Sequence, residues 1–463
     1  MSCKLDDRGS FLPEREISLT IKSIPTIAVT SKAIAIPDAS SQQPESRPRA
    51  KRERTSSSYI GGYWEPDEAE IHALTMADFQ IMGVLGVGTY GVVKLARHIR
   101  SSASVALKVL SKEHVVSMRQ EKHILRERMV HIKLHHPFIA RLFGTFQDDD
   151  CLYLVIEYLP GGELWGLVYS EYEEDDSEYD DGASTPTGSS SPTFSMSPVM
   201  IRPIRTPPAS PALSPDSPNG MRLDARSRCL LRNKFGGLHD EHAAFYLGCI
   251  LSAFEYLHGQ DMLYRDLKLE NLVLDRKGYP KVLDFGFAKP NAANSAKNMT
   301  LCGSMDYMAP EIVLHEPHDL RADIWSFGII MYEMLLGKTP FYHENPRELG
   351  RKITSEPVKF PNDFEEEYPL ACDLINRLLV KTPNDRVRSM EEIKNHAFFA
   401  ELFPAKASWE RLLRKEITAP FVPKLSGPFD TSFFQTVDDC EQEDLDDSVQ
   451  PYYEDGSNIF KEF

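Results

Sequence analysis

The chain has 463 residues, 41% of them hydrophobic, and a formal net charge of −17. That length and apolar content support one large or two medium domains with a sizeable buried core. The charge argues against general nucleic-acid binding, but it is local, because acidic runs at 171–181 and 438–447 carry much of it. No window approaches a membrane span, and the first ten residues lack an apolar signal core. The seven cysteines are scattered without metal-ligand spacing, which reads as reduced thiols and an expected cytoplasmic or nuclear location.

In chain order, residues 1–75 show little periodicity, many Ser and Pro, and a basic run from Arg47 to Arg54 followed by Thr55, Ser56, Ser57 and Ser58. They are expected to form a mostly disordered arm. From Phe79 the pattern becomes short alternating apolar runs broken by glycine, which predicts three antiparallel strands through FQIMGVLGVG, YGVVKLARH and SVALKVL. Residues 117–134 set Ile124, Met129, Ile132 and Leu134 among Arg, Glu and Lys, predicting an amphipathic helix. Two further strands are predicted at Ile139 to Phe146 and Leu152 to Glu157.

After Gly161 and Gly162 the helical pattern is interrupted, because residues 171–228 are acidic and then Ser/Pro-rich and cannot bury enough apolar surface to order themselves. Lengthening a short connection to this extent costs only ~2 kcal/mol of loop-closure entropy, so the fold tolerates it. Helical periodicity resumes at Glu241 to His258, Asp319 to Leu336, Tyr368 to Val380 and Met390 to His396. The expected architecture is α+β and two-lobed: a small antiparallel β lobe with one helix over 76–160, a larger mainly helical lobe over 161–399, and a tail over 400–463.

Gly86-x-Gly88-x-x-Gly91-x-Val93 sits between two predicted strands, where glycines let backbone amides approach anionic oxygens. Taken alone, a Gly-rich hairpin turn accounts for it equally well; a dinucleotide loop is disfavoured because a strand follows Gly91. Lys108, in the apolar strand Val105-Ala106-Leu107-Lys108, needs a counter-charge that Glu127 on the predicted helix could supply. Further on, Tyr264-Arg265-Asp266-Leu267-Lys268-Leu269-Glu270-Asn271 precedes a predicted strand pair, Leu272–Leu274 and Lys281–Leu283, and then Asp284-Phe285-Gly286. A hydroxyl nucleophile needs a carboxylate to orient it and accept its proton late, which points to Asp266, with Lys268 neutralising charge on a moving phosphoryl group. Magnesium prefers hard oxygen donors, so Asn271 and Asp284 suffice together with nucleotide oxygens. Either segment alone would be an ordinary Asp/Asn turn; their order behind the glycine loop and the lysine is what argues for phosphoryl transfer.

With these residues in place the chain resembles the protein kinase family from about Phe79 to Phe399, apart from the insertion. The resemblance implies a Ser/Thr protein kinase using ATP and Mg2+, with Lys108, Glu127, Asp266 and Lys268 in catalysis and Asn271 and Asp284 on the metal. It implies an ATP pocket formed by Leu85, Gly86, Gly88, Gly91, Val93, Ala106, Lys108, Glu157 and Phe434, and an ion pair between Glu311 and Arg386. The chain is most similar to the AGC branch that contains the cyclic-nucleotide-dependent kinases, through Gly161-Gly162-Glu163-Leu164-Trp165, Asp284-Phe285-Gly286-Phe287-Ala288-Lys289 and Thr300-Leu301-Cys302-Gly303. The tail agrees, with Asp430-Thr431-Ser432-Phe433-Phe434 and Phe460-x-x-Phe463, whose phenylalanines would fill a groove behind the regulatory helix.

By the same resemblance Glu163, Glu270 and Glu333 would face arginines upstream of the phosphoacceptor, with Ser304 beside it, so protein substrates with basic motifs are the expected partners. Thr300 would be phosphorylated by an upstream kinase and pair with Arg265. A regulatory subunit is a further implied partner, although Met299 stands where an aromatic helps hold it in cyclic-AMP-dependent kinases. Three departures stand out: Leu269 replaces a usual proline, His131 occupies a usually apolar position, and Gly303-Ser304-Met305-Asp306-Tyr307 replaces Gly-Thr-Pro-Glu-Tyr. The insertion's seven Ser/Thr-Pro pairs suit control by proline-directed kinases or an inert linker, and the basic run near Arg52 suits docking in the chain's own cleft, nuclear import or a plain linker. The competing reading is a kinase fold kept as a scaffold, which the intact Lys108, Asp266, Asn271 and Asp284 oppose.

Overall fold

The computed structural model describes residues 64, 66, 68–71, 73–88, 91–169, 231–291, 304–434, 459–461 and 463. The expectations for the basic run, the insertion, the acidic runs and Thr300 lie outside these residues.

The small lobe is built on β1 (Phe79–Val87), β2 (Gly91–His98), β3 (Ser104–Ser111), β4 (Leu142–Gln147) and β5 (Cys151–Glu157). They form one antiparallel sheet in the order β1-β2-β3-β5-β4. β1 carries register shifts at Ile81/Gly83 and Val84/Gly86, which bend it over the cleft. The predicted fourth strand starts late: Ile139 makes only an isolated bridge to Val282, and regular pairing begins at Leu142.

One sheet face packs Phe79, Val105, Leu107, Phe143, Phe146 and Val155 into a cluster that also takes in Trp64, 2% exposed and stacked 4.2 Å from His98. A short helix, α1 (Glu68–Ile71), and buried Leu74 follow, so the last part of the stretch expected to be an arm rests on the small lobe. The other face holds Leu110, Leu142, Leu152 and Leu154 against α2 (Lys112–Ser117) and α3 (Glu121–His131). α2, capped by the Ser111 hydroxyl accepting from His114 N, is an additional short helix, and the helix expected over 117–134 is confined to α3, Glu121–His131. The amphipathic reading of α3 is also corrected. Met129 is exposed, and the inward face is Ile124, Glu127, Val130 and His131, two of which hydropathy assigns to solvent.

In the large lobe the chain continues through α4 (Leu164–Tyr169), α5 (Asp240–Gly259), α6 (Arg321–Leu336) and α7 (Pro369–Leu378). α6 is buried along nearly its whole length, as expected of a helix apolar on all sides. It crosses α7 so closely at Gly328 that a Cβ there would lie 2.8 Å from Leu378 Cβ. Arg386, 1% exposed, donates to both Glu311 oxygens at 2.8 and 2.9 Å, the predicted pair, and ties the segment before α6 to the base of the lobe. Among the described residues no helix is long and apolar enough to cross a membrane.

Beyond the large lobe the tail climbs back toward the sheet. Arg276 donates to Pro428 O at 2.7 Å, the Tyr158 hydroxyl donates to Asp430 O, and Phe434 lies 5.9 Å from Tyr158 ring to ring. Phe460 and Phe463, 2% and 8% exposed, join the α2–α3 side of the sheet. Gln147 Nε2 donates to Phe460 O at 2.7 Å and Thr145 Oγ1 to Phe463 O at 2.8 Å. Arg128 of α3 donates to Thr145 at 2.8 Å and lies 5.9 Å from the Phe463 ring, which couples these phenylalanines to the helix carrying Glu127.

Candidate active site

The cleft between the lobes collects most of the residues singled out by sequence. Above it, the β1–β2 hairpin places Gly86, Gly88 and Gly91, with Gly88 N donating to Gly91 O at 2.7 Å. The three glycines serve different ends. A Cβ on Gly91 would come within 1.8 Å of Val109 O, so the fold itself requires it; a Cβ on Gly86 would meet nothing within 4 Å, leaving that backbone open toward the cleft. Leu85 sits at the β1 bulge, Val93 pairs with Lys108, and Ala106 pairs with Ile156, so these side chains are set by strand register.

Lys108 Nζ reaches Glu127 Oε1 at 2.7 Å, drawing α3 onto the sheet. Burial pushes the Glu127 carboxyl up against the pull of Lys108, so the pair gives each charge its main compensation. Below, Asp266 Oδ2 accepts from Lys268 Nζ at 3.0 Å and from Asn271 Nδ2 at 2.8 Å. Asp266 Oδ1 is buried without a hydrogen-bond partner. Burial, only partly offset by Lys268, raises the Asp266 carboxyl above its ordinary value. Lys268 Nζ also lies 3.5 Å from Ser304 Oγ.

Asp284 opens onto the cleft. Burial of its surroundings works against its charge, but Lys108, the Gly286 N–H at 3.0 Å and Lys268 outweigh it and hold the carboxyl below its ordinary value. Two neighbouring carboxylates are thus driven in opposite directions, one toward accepting a proton and one toward permanent charge. Asn271 spends its amide nitrogen on Asp266, which leaves its oxygen for a cation, and Leu283 N donates to Asn271 O at 2.9 Å, tying the two segments together. No cluster of three or more acidic, His or Cys ligands exists among the described residues. A donor set of one carboxylate and one amide oxygen fits Mg2+, which keeps waters and takes phosphate oxygens.

Asp323 was not singled out from the sequence, nor were the contacts that Arg265, Glu157 and His131 make. Asp323, at the start of α6, accepts from Tyr264 N, Arg265 N and His258 Nε2 at 3.0, 2.8 and 2.9 Å, holding the catalytic segment while Arg265 adopts a φ of 70°. The signal was an acid, Asp323, in a largely apolar helix that also carries Glu333, since a buried carboxylate must find partners. Arg265 Nε and Nη2 donate to Phe287 O. Glu157 directs both side-chain oxygens to Lys281, at 2.7 and 2.6 Å, and its N–H donates to Arg141 O at 2.9 Å, so its carboxylate is engaged within the protein. His131 places its ring 4.7 Å from Phe285 and its Nε2 2.6 Å from Ala140 O.

The acids expected to face substrate differ in burial. Glu163 is exposed, whereas Glu333 is 2% exposed and accepts from the hydroxyls of Tyr169 at 2.7 Å and Tyr307 at 2.9 and 3.0 Å. Burial, with Glu270 and Asp306 nearby, pushes the Glu333 carboxyl up to about 8.

The chain matches the protein kinase domain family over residues 79–180 and 221–399. It is 33% identical to cAMP-dependent protein kinase type 3 of Saccharomyces cerevisiae, covering 84% of this chain and 79% of that one. It is 30% identical to the human cAMP-dependent protein kinase catalytic subunit PRKX (84% and 88% covered) and 33% identical to bovine serine/threonine-protein kinase Sgk1 (77% and 67% covered). A five-stranded antiparallel small lobe, a helical large lobe and this likeness together show that the chain belongs to the protein kinase family, as a serine/threonine kinase of the AGC branch.

Proposed function

We propose that this kinase uses ATP and Mg2+ to phosphorylate serine and threonine in proteins that carry arginines upstream of the acceptor. The observation that carries the reading is the buried, unpartnered Asp266 Oδ1, the atom available to an incoming hydroxyl once Lys268 and Asn271 have taken Oδ2. The acceptor oxygen attacks the γ-phosphorus, the bond to the β–γ bridging oxygen breaks, ADP leaves with that electron pair, and the hydroxyl proton passes late to Asp266. Lys268 balances charge on the moving group, and Lys108, braced by Glu127, holds the α- and β-phosphates under Gly86 and Gly88. Mg2+, when bound, neutralises phosphate charge; Asn271 Oδ1 and the Asp284 carboxylate would hold it.

Arginine selectivity is supported by the clustering of Glu270, Glu333 and Asp306, whose mutual effect is visible in the raised Glu333 carboxyl. Activation through Thr300 is supported by its place in the sequence, between Asp284-Phe285-Gly286 and Ser304. A phosphate on Thr300 would pair with the guanidinium of Arg265, beside Asp266, and order the segment.

The test is incubation of the protein with ATP, Mg2+ and paired serine and tyrosine peptides carrying arginines two and three residues upstream, read by intact mass. One added phosphoryl group on the serine peptide alone is expected. Transfer to the tyrosine twin, or to neither peptide after phosphorylation of Thr300, would contradict the reading.

A further inference from the structure

Tyr169 ends α4 and stacks on Trp165 four residues earlier, ring centroids 5.1 Å apart. That stack aims its hydroxyl across the substrate side of the large lobe to Glu333 Oε1, at 2.7 Å, from a helix distinct from the one holding Glu333. Tyr307 lends its one hydroxyl between both Glu333 oxygens from a packed position, whereas Tyr169 is only half-buried. Both Glu333 oxygens thus already accept from tyrosine hydroxyls, and the half-buried one sits on Oε1. Asp306, beside it, keeps a buried Oδ1 without a partner.

An arginine entering this pocket makes its best contact as a fork onto a carboxylate, and that geometry requires both Glu333 oxygens. The hydroxyl of Tyr169 occupies one of them.

We propose that Tyr169 is a specificity-determining residue: its hydroxyl competes with the upstream substrate arginine for Glu333, and the arginine site opens only when Tyr169 releases Oε1. The inference rests on the reading that upstream arginines are recognised here. Burial is the largest cause of the raised Glu333 carboxyl, with Glu270 and Asp306 adding to it, and both tyrosine hydroxyls only partly oppose it. Exchange of a neutral phenol for a guanidinium therefore gains more than it would at an exposed carboxylate.

The test compares kcat/KM for a serine peptide with arginines two and three residues upstream against its glutamine twin. The ratio is taken within one preparation, so a loss of folded protein cancels. Tyr169→Phe keeps the ring and its stack on Trp165 and removes only the hydroxyl. It is expected to raise the Arg/Gln ratio by roughly threefold to tenfold, the range for one ordinary hydrogen bond. Glu333→Gln is expected to collapse the ratio, and adding Tyr169→Phe to it to change nothing further, a coupling that a merely structural tyrosine would not show. A ratio unchanged or lowered by Tyr169→Phe, in a kinase whose wild type prefers arginine, overturns the inference. A wild type with no arginine preference contradicts the underlying reading instead, so the two failures are distinguishable.

Discussion

Replacing His131 with leucine should remove a specific acid sensitivity from this kinase. His131 is 1% exposed, its Nε2 donates to Ala140 O at 2.6 Å, its Nδ1 is buried without a partner, and its ring packs on Phe285. Burial first, and then the charge of Lys108, hold it at about 4 against the carbonyl of Ala140 and the charge of Asp284, which favour protonation. In the docked conformation of α3 the imidazole therefore stays neutral, whereas with α3 swung into water it would titrate near its ordinary value. The sign follows: the docked state keeps its full advantage above about pH 6.5 and loses it as pH falls toward about 4. The whole span is worth about 3 kcal/mol, and by pH 5.5 the undocked state has gained about tenfold. Leucine loses a hydrogen bond worth about 1 kcal/mol but also removes the unpartnered Nδ1, so at neutral pH the variant should lie within about 1 kcal/mol of wild type. The assay is kcat/KM for ATP from pH 5 to 8, expressed as the ratio of His131→Leu to wild type, which cancels the acid limb common to both through Asp266. The ratio should climb between pH 7 and pH 5.5, by at most about tenfold, the limit reached when α3 is mostly undocked in the ATP-free enzyme. A ratio that falls over this range would rule out His131 as the acid-sensitive group.

Other outcomes follow from the same packing. Phe460→Ala with Phe463→Ala removes two buried rings, each worth ~3–5 kcal/mol on truncation, and should free that segment from α3 without unfolding the lobe. Steady-state kinetics should show kcat/KM for ATP down by at least about tenfold, with partial recovery when a peptide of residues 458–463 is added. Gly91→Ala should strongly destabilise the protein in thermal unfolding, because its Cβ would sit 1.8 Å from Val109 O, whereas Gly86→Ala should leave the midpoint nearly unchanged. Arg386→Met would strand the buried Glu311 carboxylate and should cost ~3–5 kcal/mol in denaturant unfolding.

Legibility in the sequence followed chemistry more closely than hydropathy. The glycine loop, Lys108, the Asp266–Asn271 segment and Asp284 stood out because short fixed spacings leave few alternatives, and the cleft brings them together. The face of α3 did not stand out: its inward positions hold Glu127 and His131, which no apolar periodicity marks, while Met129 faces solvent. Long-range partners were equally silent. Nothing local says that Asp323 will hold Tyr264 and Arg265, that Glu157 will turn its side chain to Lys281, or that Tyr169 will cap Glu333, because each pairing closes a loop of at least 58 residues. Trp64 was missed for a simpler reason, being one large apolar residue in a polar stretch, too sparse for a pattern yet able to bury itself on His98 and Phe143.

In the proposed mechanism one carboxylate receives the acceptor's proton while separate groups hold the nucleotide. Asp266→Asn tests it most directly, because it removes that charge and leaves Lys108, Glu127 and Asp284 in place. Nucleotide binding, followed as the rise in thermal midpoint with ATP and Mg2+, should persist, while phosphoryl transfer to the arginine-bearing serine peptide should fall by a factor on the order of 100 or more. Transfer at the wild-type rate by Asp266→Asn, with binding intact, would mean that Asp266 does not receive the proton.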